Sequence, residues 1–385
     1  MTVSVIIVVF WFFLAEILGV QSKATDVPGR TALDNFPLID GHNDLPYKLK
    51  MIYNNQIEKY DFLKEWQEND EMKDCKSCHT DYVKLTKGKL GAQFWSAYIK
   101  CTNNTNPVSD TIEQIDLIKR LVDKYSGVLY WATKSDDIAE AFKQKKIASF
   151  IGVEGGHSID NRLSVLRAYY ELGVRYLTLT HFCNLDWADS TAADSTPDTP
   201  KKNLTEFGKI IIAEMNRLGM MVDLAHVSRN VMIDAIKASK APVIFSHSSS
   251  RYIYDHVRNV NDDVLQLLKE NDGIIMVNFF SGFIGGNNTI YDVINHINHI
   301  VEVIGVDHVG LGADYDGVHR LPKGLEDVST YSDLFDLLKV LNPQIWTIEN
   351  LEKLAGRNLV RVFRKVEQVK LQLKDEKPRE DIINL

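Results

Sequence analysis

Short apolar runs rich in β-branched residues alternate along this chain with longer stretches that have the periodicity of amphipathic helices. The runs occupy residues 36–41, 128–132, 147–153, 174–180, 220–224, 242–245, 273–278 and 308–312. Helix candidates between them occupy residues 110–125, 161–172, 204–218, 229–239, 261–270 and 291–304. This alternation is typical of parallel strands joined by crossover helices, and eight such units predict a closed (β/α)8 barrel of the TIM type rather than an open α/β sheet.

Two stretches depart from the regular alternation. Residues 56–87 are polar and predict an insertion or excursion before the barrel proper. From residue 332 onward the chain is mostly helical, with a strongly amphipathic run at residues 351–373 that we expect to pack against the outside of the barrel. Because a single α/β barrel commonly takes up most of a chain of 385 residues, we expect residues 23–385 to form one domain.

The N-terminus carries a hydrophobic segment of its own. Residues 3–14 are apolar almost throughout and are followed by mostly small and polar residues. This length is short for a membrane span and typical of a signal peptide, which we place at residues 1–22. A signal anchor is the alternative, because the segment lacks a basic start and contains Glu16. We therefore expect a secreted protein or one on the extracellular face of the plasma membrane.

Sequons and cysteines agree with passage through the secretory route. Candidate glycosylation sites of the N-x-[ST] type, each a weak signal alone, lie at Asn103, Asn203 and Asn287. The four cysteines suit an oxidising compartment, and Cys75 and Cys78 are close enough in a polar loop to form a small disulfide. Cys101 would then pair with Cys183, which is preferred to a nucleophilic role for Cys183.

The overall charge excludes one class of partner. The formal net charge is −8 and the pI is near 5.8, so that no broad basic face is available for a phosphate backbone. Lysine and arginine residues do not cluster with aromatic residues either. Nucleic acid is therefore not an expected partner.

Polar side chains are concentrated directly after the predicted strands, where TIM-type barrels form their active sites. The strand ends carry DGHND at residues 40–44, EGGH at 154–157, TH at 180–181, DLAH at 223–226, SHS at 246–248 and GADYD at 312–316. Each residue alone has a commoner structural role: a hydrogen-bonded turn for His42 and Asp44, a helix cap for Glu154. A buried core position is the commoner role of a single histidine such as His226 or His247. These five residues occur together at four strand ends on one face of the barrel, and this combination predicts a metal site.

Two metal ions suit this set better than one. Two residues apart on a strand end, the side chains of an H-x-D pair point to the same side. Three imidazoles and two carboxylates exceed the three protein ligands that are typical of a single catalytic zinc. A bridging carboxylate can hold two cations roughly 3.5 Å apart, and Glu154, the only glutamate of the set, is the candidate bridge.

Together these segments resemble the renal or membrane dipeptidase family of amidohydrolase-type barrels. The matching segments are LIDGHNDLP at residues 38–46, GVEGGHSID at 152–160, LTLTHFCN and WADS within 177–190, DLAHVS at 223–228, FSHSSS at 245–250, VRNVNDDVL at 257–265 and GADYDGV at 312–318. Several motifs in the same order, over nearly the whole mature chain, make the match specific. The resemblance implies a zinc metallopeptidase that cleaves small dipeptides with a free C-terminal carboxylate and uses two Zn²⁺ per chain.

The resemblance also implies a role for each site residue. It assigns one zinc to His42, Asp44 and Glu154, and the other to Glu154, His226 and His247. His181 resembles the histidine that contacts the scissile carbonyl, and Arg258 resembles the clamp on the substrate carboxylate. Asp314, rather than Asp316, resembles the acid/base that takes a proton from the water bridging the metals and returns it to the leaving amine. Cys101 and Cys183 match a disulfide pair of the family.

Two departures from the family pattern are visible. Phe283 stands where a tyrosine hydroxyl is expected near the substrate, so that one contact would be absent. Residues 382–385 resemble neither a GPI signal nor the C-terminal cysteine segment that links subunits of mammalian relatives. We therefore expect neither that anchor nor a covalent dimer, whereas a noncovalent homodimer and membrane association stay open.

Two other functions fit a barrel of this kind. One is a catalytically inactive binding protein, which is disfavoured because none of the metal ligands is substituted. The other is a different amidohydrolase-type reaction, such as cyclic amide or nucleoside hydrolysis. Relatives with those activities usually bridge their metals with a modified lysine or use one metal, whereas here the fourth strand ends in His181 and Glu154 is the candidate bridge.

Overall fold

Parallel strands close into a barrel in the computed structural model, which describes residues 27–102, 106–196 and 201–383. The strands within these ranges are β1 (Leu38–Asn43), β2 (Leu90–Tyr98), β3 (Leu129–Trp131), β4 (Ile147–Glu154), β5 (Val174–Thr178), β6 (Met221–Asp223), β7 (Ile244–Phe245), β8 (Ile274–Val277) and β9 (Val309–Leu311). The ring consists of β1, β2 and β4 to β9, and β2 closes it by pairing with both β1 and β4. The predicted (β/α)8 fold is confirmed.

The second strand of the barrel differs from the prediction. The apolar run at residues 128–132 contains β3, which pairs with the first residues of β4 beside the barrel and does not belong to the ring. The barrel strand is instead β2, whose last residue, Tyr98, pairs with Glu154 at the end of β4. Gln93 and Ser96 interrupt the apolar character of β2, which explains why a search for apolar runs misses it.

Helices follow the strands and surround the barrel. Within the described residues they are α1 (Ala32–Asn35), α2 (Leu45–Tyr53), α3 (Tyr82–Lys87), α4 (Pro107–Lys124), α5 (Asp136–Lys143), α6 (Leu163–Glu171), α7 (Thr191–Asp194), α8 (Glu206–Leu218), α9 (Arg229–Ala238), α10 (Asp262–Glu270), α11 (Ser281–Ile284), α12 (Ile290–Ile304), α13 (Tyr331–Leu341), α14 (Ile348–Glu352) and α15 (Asn358–Gln372). A π-helical turn, Lys353–Arg357, joins α14 to α15. The predicted helices correspond to α4, α6, α8, α9, α10 and α12.

Side chains of the strands alternate between the inside of the barrel and the surrounding helices. In β4, Phe150 belongs to the buried cluster inside the barrel, whereas Ile151 belongs to the cluster under the helices. In β2, Phe94 is inside and Trp95 is outside. Because alternate residues of a strand share a face, the same inward row of β4 ends in Glu154, at the end of the barrel where the active sites of this fold form.

The C-terminal helix α15 closes the opposite end of the barrel. Its residues Val362 and Phe363 belong to the same buried cluster as the inward-facing Phe94 and Phe150. The rings of Phe363 and Phe150 lie 5.7 Å apart, edge to face. The additional C-terminal helices are therefore present as predicted, but the expectation that residues 351–373 pack only against the outside is wrong. The apolar stripe of α15 covers the floor of the barrel, because the inward apolar side chains there need a partner.

The cysteines pair as predicted, and the polar excursion is present, but it follows the first barrel strand, β1, instead of preceding the barrel. Residues 56–87 lie outside the ring of strands and contain short 3₁₀ turns, α3 and a disulfide between Cys75 and Cys78. A second disulfide joins Cys101, which follows β2, to Cys183 in the loop after β5. This second bridge ties together two segments next to the upper end of the barrel.

Some predictions concern the ends and the surface of the chain. The signal peptide at residues 1–22 and the sequon at Asn103 lie outside the described residues. Asn287 is exposed, and Asn203 is half-buried, with its amide oxygen accepting a 2.9 Å hydrogen bond from Asn230. Among the described residues, no helix combines the length and the apolar character that crossing a membrane requires.

Candidate metal centre

The upper ends of the strands bring the five predicted metal ligands together. His42 lies in β1, Asp44 directly follows that strand, and Glu154 ends β4. His226 and His247 lie in the turns after β6 and β7. Each of the five residues is at most 4 % exposed. The fold thus gathers residues as far apart in the chain as His42 and His247 into one buried cluster.

Ring nitrogens from four strand ends converge on one oxygen of Glu154. Oε1 of Glu154 lies 3.1 Å from Nε2 of His226, 3.5 Å from that of His247, 3.6 Å from that of His42 and 3.7 Å from that of His181. Oδ2 of Asp44 lies 3.2 Å from Nε2 of His42. A carboxylate surrounded by imidazoles in this way belongs to a group of side chains that could hold a metal ion.

A buried hydrogen-bond relay orients His247. The hydroxyl of Ser246 donates to Oδ2 of Asp223 at 2.6 Å and lies 2.8 Å from Nδ1 of His247. Because its single proton goes to the carboxylate, the hydroxyl oxygen accepts from Nδ1 of His247, which leaves the lone pair on Nε2. Asp223 is held in turn by the backbone N–H groups of Ser246 (2.8 Å) and Ala225 (3.1 Å). Such partners fix the tautomer of a metal-binding histidine.

Burial and neighbouring charges shift the pKa values of the clustered side chains. Burial lowers the pKa of His226 and of His247 well below the usual range of histidine. Burial also lowers the pKa of His42, but the carboxylates of Glu154 and Asp44 overcome this effect and raise it to about 10. Burial raises the pKa of Glu154 to about 8. The cluster therefore retains protons where a metal-bound form would carry a divalent cation.

The donor atoms fit a metal. Nε2 of His42 and Oδ1 of Asp44 are buried and have no hydrogen-bond partner among the described residues. Unsatisfied buried polar atoms are costly, and imidazole nitrogen with carboxylate oxygen is the donor set that zinc prefers at catalytic sites. Groups of three ligand atoms within 4.8 Å of one another include His42 with Glu154 and His247. The residues present are thus suitable to bind zinc.

Asp314 lies at the mouth of the cluster, and Asp316 does not. Oδ2 of Asp314 accepts a 2.9 Å hydrogen bond from Asn278, and burial raises its pKa to about 7. Asp316 is fully buried, and its Oδ1 accepts a 3.0 Å hydrogen bond from the backbone N–H of His79 in the polar excursion. A side chain at Gly317 would overlap the carboxylates of both Asp44 and Asp314, so that only glycine lets the loop pass this close to them.

Part of the site has a strained backbone. His226, Asp314 and Asp316 all have φ angles near the left-handed value, at 66°, 67° and 66°. Such angles cost of order 1 kcal/mol or more for residues with a side chain, and they persist where the surrounding structure holds them. Two of the three residues are candidate functional residues, and the conformation directs their side chains into the cavity.

His181 lines the same cavity, whereas Arg258, at 2 % exposure, is buried outside the cavity lining. Burial, with Arg258 as the next cause, lowers the pKa of His181 well below its usual range, so that this ring is neutral near pH 7. The guanidinium of Arg258 donates to the backbone oxygen of His247 at 3.1 Å, and its Nε has no acceptor among the described residues. Phe283 places its ring 5.2 Å from the guanidinium, where the family pattern has a tyrosine. The guanidinium of Arg258 therefore contacts an aromatic ring at this position.

A cavity of about 330 Å³ lies above the cluster. Its lining consists of Asp44, Tyr47, Tyr98, Glu154, His181, Phe182, His226, Phe280, Phe283, Asp314, Gly317, Val318 and His319. Three of these residues, Tyr47, Tyr98 and Phe280, are not among those predicted from the sequence. Tyr98 was missed with β2 itself, although it occupies the inward row of that strand and its ring lies 4.7 Å from that of His181.

Comparison with known proteins identifies the family. A model of the membrane dipeptidase family, peptidase family M19, matches residues 29–377. The chain belongs to the membrane dipeptidase family. It is 46 % identical over 352 residues to an uncharacterized dipeptidase of Schizosaccharomyces pombe, with 87 % of this chain and 82 % of that protein covered. The family resemblance inferred from the sequence motifs is confirmed.

Solved structures share the fold of this membrane dipeptidase family member. A metallopeptidase from Rhodobacter sphaeroides, liganded with a phosphinate mimic of the dipeptide L-Ala-D-Ala, superimposes with a TM-score of 0.74 at 21 % identity, covering 86 % of this chain and 99 % of that one. A probable dipeptidase from Pseudomonas aeruginosa gives a TM-score of 0.75 at 17 % identity, covering 89 % and 98 %. Membership of a metallopeptidase family implies zinc as the cofactor, in agreement with the ligand cluster.

Proposed function

We propose that this member of the membrane dipeptidase family hydrolyses the peptide bond of dipeptides with a free C-terminal carboxylate and binds two zinc ions per chain. The observation that carries the proposal is the convergence of four imidazole nitrogens on Oε1 of Glu154, at 3.1 to 3.7 Å. The cavity above this cluster, at about 330 Å³, lies at the small end of ligand pockets and suits two residues better than a long peptide.

The proposed metal ligands divide into two overlapping sets. His42, Asp44 and Glu154 would hold one zinc, and Glu154, His226 and His247 the other. Bound zinc lowers the pKa of water towards about 7 and polarises a carbonyl oxygen, which supplies a nucleophile and electrophilic assistance at neutral pH. The relay from Asp223 through Ser246 keeps Nε2 of His247 free for this purpose.

Asp314 is the proposed acid/base. Its Oδ2 is held by Asn278, and the side chain lines the cavity beside Asp44 and Glu154. A carboxyl group at this position can accept a proton from water and return it to the amine. The same carboxyl group would thus serve both directions of proton transfer.

His181 and Arg258 are the proposed substrate contacts. A neutral His181 ring can donate a hydrogen bond to the carbonyl oxygen as negative charge develops on it. Arg258 has an unused Nε donor next to the cluster, where the substrate carboxylate would provide the missing acceptor. A fixed distance between the metal centre and this cation explains a preference for dipeptides, because a third residue would move the carboxylate out of reach.

Turnover of defined peptides tests the proposal. The purified protein is incubated with a dipeptide panel, a tripeptide and a C-terminally amidated dipeptide, each with and without a chelator, and free amino acids are measured. We expect chelator-sensitive release from dipeptides and slow release from the tripeptide and the amide. Absence of chelator-sensitive release from every dipeptide of the panel would contradict the function.

We also propose that the protein acts outside the cytoplasm. The apolar segment at residues 3–14, the sequons and the two disulfides support entry into the secretory route. The exposed position of Asn287 is compatible with glycosylation at that sequon. A small extracellular peptide would then be the substrate.

A further inference from the structure

We infer that Tyr176 is a positioning residue of the metal centre, whose hydroxyl fixes the tautomer and orientation of His42. The inference rests on the proposed metal-dependent function and extends it to a residue inside the barrel. Tyr176 lies in β5, is fully buried and belongs to the cluster of inward-facing side chains. It is two residues from Thr178 on the same face and does not line the cavity, so that its effect on a substrate must pass through His42.

The hydrogen bonds of Tyr176 determine which nitrogen of His42 carries a proton. The hydroxyl lies 2.9 Å from Nδ1 of His42 and 3.1 Å from the backbone oxygen of Gly41. A carbonyl oxygen can only accept, so the single hydroxyl proton points to Gly41. The hydroxyl oxygen must then accept from Nδ1–H of His42. Nε2 of His42, which faces Asp44 and Glu154, is left as the atom that binds a cation.

A column of aromatic rings holds Tyr176 in this place. Its ring stacks on that of Phe94 with centroids 5.4 Å apart, and Phe94 stacks on Phe150 at 4.7 Å. Phe150 in turn contacts Phe363 of α15 at 5.7 Å. The column therefore runs from the floor of the barrel to the first metal ligand. Because interiors are close-packed, the ring has no alternative position, and the hydroxyl stays fixed relative to β1.

The neighbouring strand is shaped to accept this ring. A side chain at Gly152 of β4 would overlap the ring of Tyr176, so that only glycine leaves enough room. His226 offers a contrast, because its Nδ1 has no hydrogen-bond partner among the described residues. Buried partners thus orient His42 through Tyr176 and His247 through Ser246, and His42 depends on a single hydroxyl.

Removal of the hydroxyl alone tests the inference. Tyr176→Phe keeps the ring in the column and leaves Nδ1 of His42 without its acceptor. We expect the zinc dissociation constant, measured by competition with a chromophoric chelator, to rise about 10- to 100-fold, the usual effect of losing a buried partner of a metal-binding histidine. The matched control is Tyr125→Phe. The hydroxyl of Tyr125 also donates to a carbonyl, that of Tyr60 (2.7 Å), and accepts from an N–H, that of Phe62 (3.1 Å), but it lies under the polar excursion.

The control distinguishes positioning from general stability. Both variants lose a buried hydroxyl that bonds a backbone carbonyl oxygen and a nitrogen, so that thermal unfolding of the metal-free proteins should shift by similar amounts, whereas only Tyr176→Phe should lose zinc affinity. Wild-type affinity in Tyr176→Phe, or an equal loss in Tyr125→Phe, would overturn the inference. A wild-type protein that binds zinc but cleaves no dipeptide would contradict the proposed function alone, because the readout here is metal affinity.

A second measurement does not depend on the folding of any variant. In zinc-loaded wild-type protein with ¹⁵N-labelled histidine, long-range ¹H–¹⁵N correlation reports which ring nitrogen bears a proton. We expect the signals of His42, assigned by comparison with His42→Gln, to show a protonated Nδ1. A spectrum in which Nδ1 of His42 lacks a proton would overturn the inference.

Discussion

The Nε2 atoms of His226 and His247 lie 2.9 Å apart. Burial lowers the pKa of both rings well below the usual range, so that neither holds an additional proton near neutral pH. Ser246 already directs the lone pair of His247 to Nε2. Two ring nitrogens this close, next to the carboxylate of Glu154 at 3.1 Å from His226, would both be suited to bind a metal cation.

The first prediction concerns zinc content. Elemental analysis of protein purified without chelator should give about two zinc ions per chain, because the ligand set exceeds what one ion needs. His226→Ala should lower the content to about one and abolish turnover. His299→Ala is the control: this ring stacks on Tyr252 and bonds Asp262 outside the cluster, and its loss should leave both ions. Full activity in a metal-free sample would contradict the two-metal proposal.

The second prediction concerns protons released on zinc binding. The carboxylates of Glu154 and Asp44 raise the pKa of His42 to about 10 against the effect of burial, and burial raises that of Glu154 to about 8. At pH 7, which is below both values, protons occupy ligand positions and compete with the metal. Apparent zinc affinity should therefore increase as the pH rises from about 6 to 8. Calorimetry in buffers of different ionisation enthalpy should detect at least one proton released per chain; zero release at pH 7 would argue against this account.

The ligand set was predictable because each member lies at the end of a strand or just after it, where the barrel fold alone brings side chains together. Predicting His42, Asp44 and Glu154 as ligands required no knowledge of the register between strands. Tyr176 was not predictable in the same way. It lies in the middle of an apolar run, and its role appears only when the register places β5 beside β4 and across the barrel from Gly41.

The barrel strand β2 shows a different limit of sequence patterns. Inward positions near the upper end of a barrel strand face the metal centre and are often polar or small. Ser96 is such a residue, and its hydroxyl lies 3.5 Å from Oε2 of Glu154. Gln93 adds a buried hydrogen bond to the backbone oxygen of Asp40, at 3.3 Å. The apolar fraction of β2 is therefore lower than that of β3, which lies beside the ring and satisfies the apolar pattern without belonging to the ring.

The third prediction concerns the C-terminal carboxylate of the substrate. Amidated dipeptides should show kcat/KM values about 10- to 100-fold lower than free dipeptides, because a buried hydrogen bond between two ions is worth roughly 1.5 to 3 kcal/mol. Arg258→Lys should cause a similar loss with free dipeptides, since an ammonium does not reproduce the planar fork. Arg251→Lys, at an arginine paired with the exposed Asp255, should have no such effect. Equal kcat/KM for free and amidated dipeptides would exclude the clamp.

The fourth prediction concerns processing. Protein from a secretory host should begin near residues 22–25, as measured by intact-mass and peptide mass spectrometry, because residues 1–22 have the pattern of a signal peptide. The same digest without reductant should contain a peptide pair linked through Cys101 and Cys183. Free thiols at these two positions would contradict the disulfide but would leave the metal centre unaffected.

The last prediction separates two aspartates that are two residues apart. Asp314 lines the cavity with one oxygen held by Asn278, whereas Asp316 is bonded to the backbone of His79 and faces the excursion. Asp314→Asn preserves the shape of the side chain but removes its basicity. General acid/base catalysis typically contributes about 10² to 10⁴ in rate, so that kcat should fall by this factor while zinc content stays near wild type.

Asp316→Asn is the matched control for that experiment. The amide oxygen of asparagine can still accept the hydrogen bond from the N–H of His79, so that the loop should keep its place and kcat should change much less. Both variants are compared by single-turnover kinetics together with zinc analysis, which separates a lost proton-transfer group from a lost metal. Loss of zinc in Asp314→Asn would mean that the carboxylate acts as a ligand, and a larger rate loss in Asp316→Asn would transfer the acid/base role to the buried aspartate.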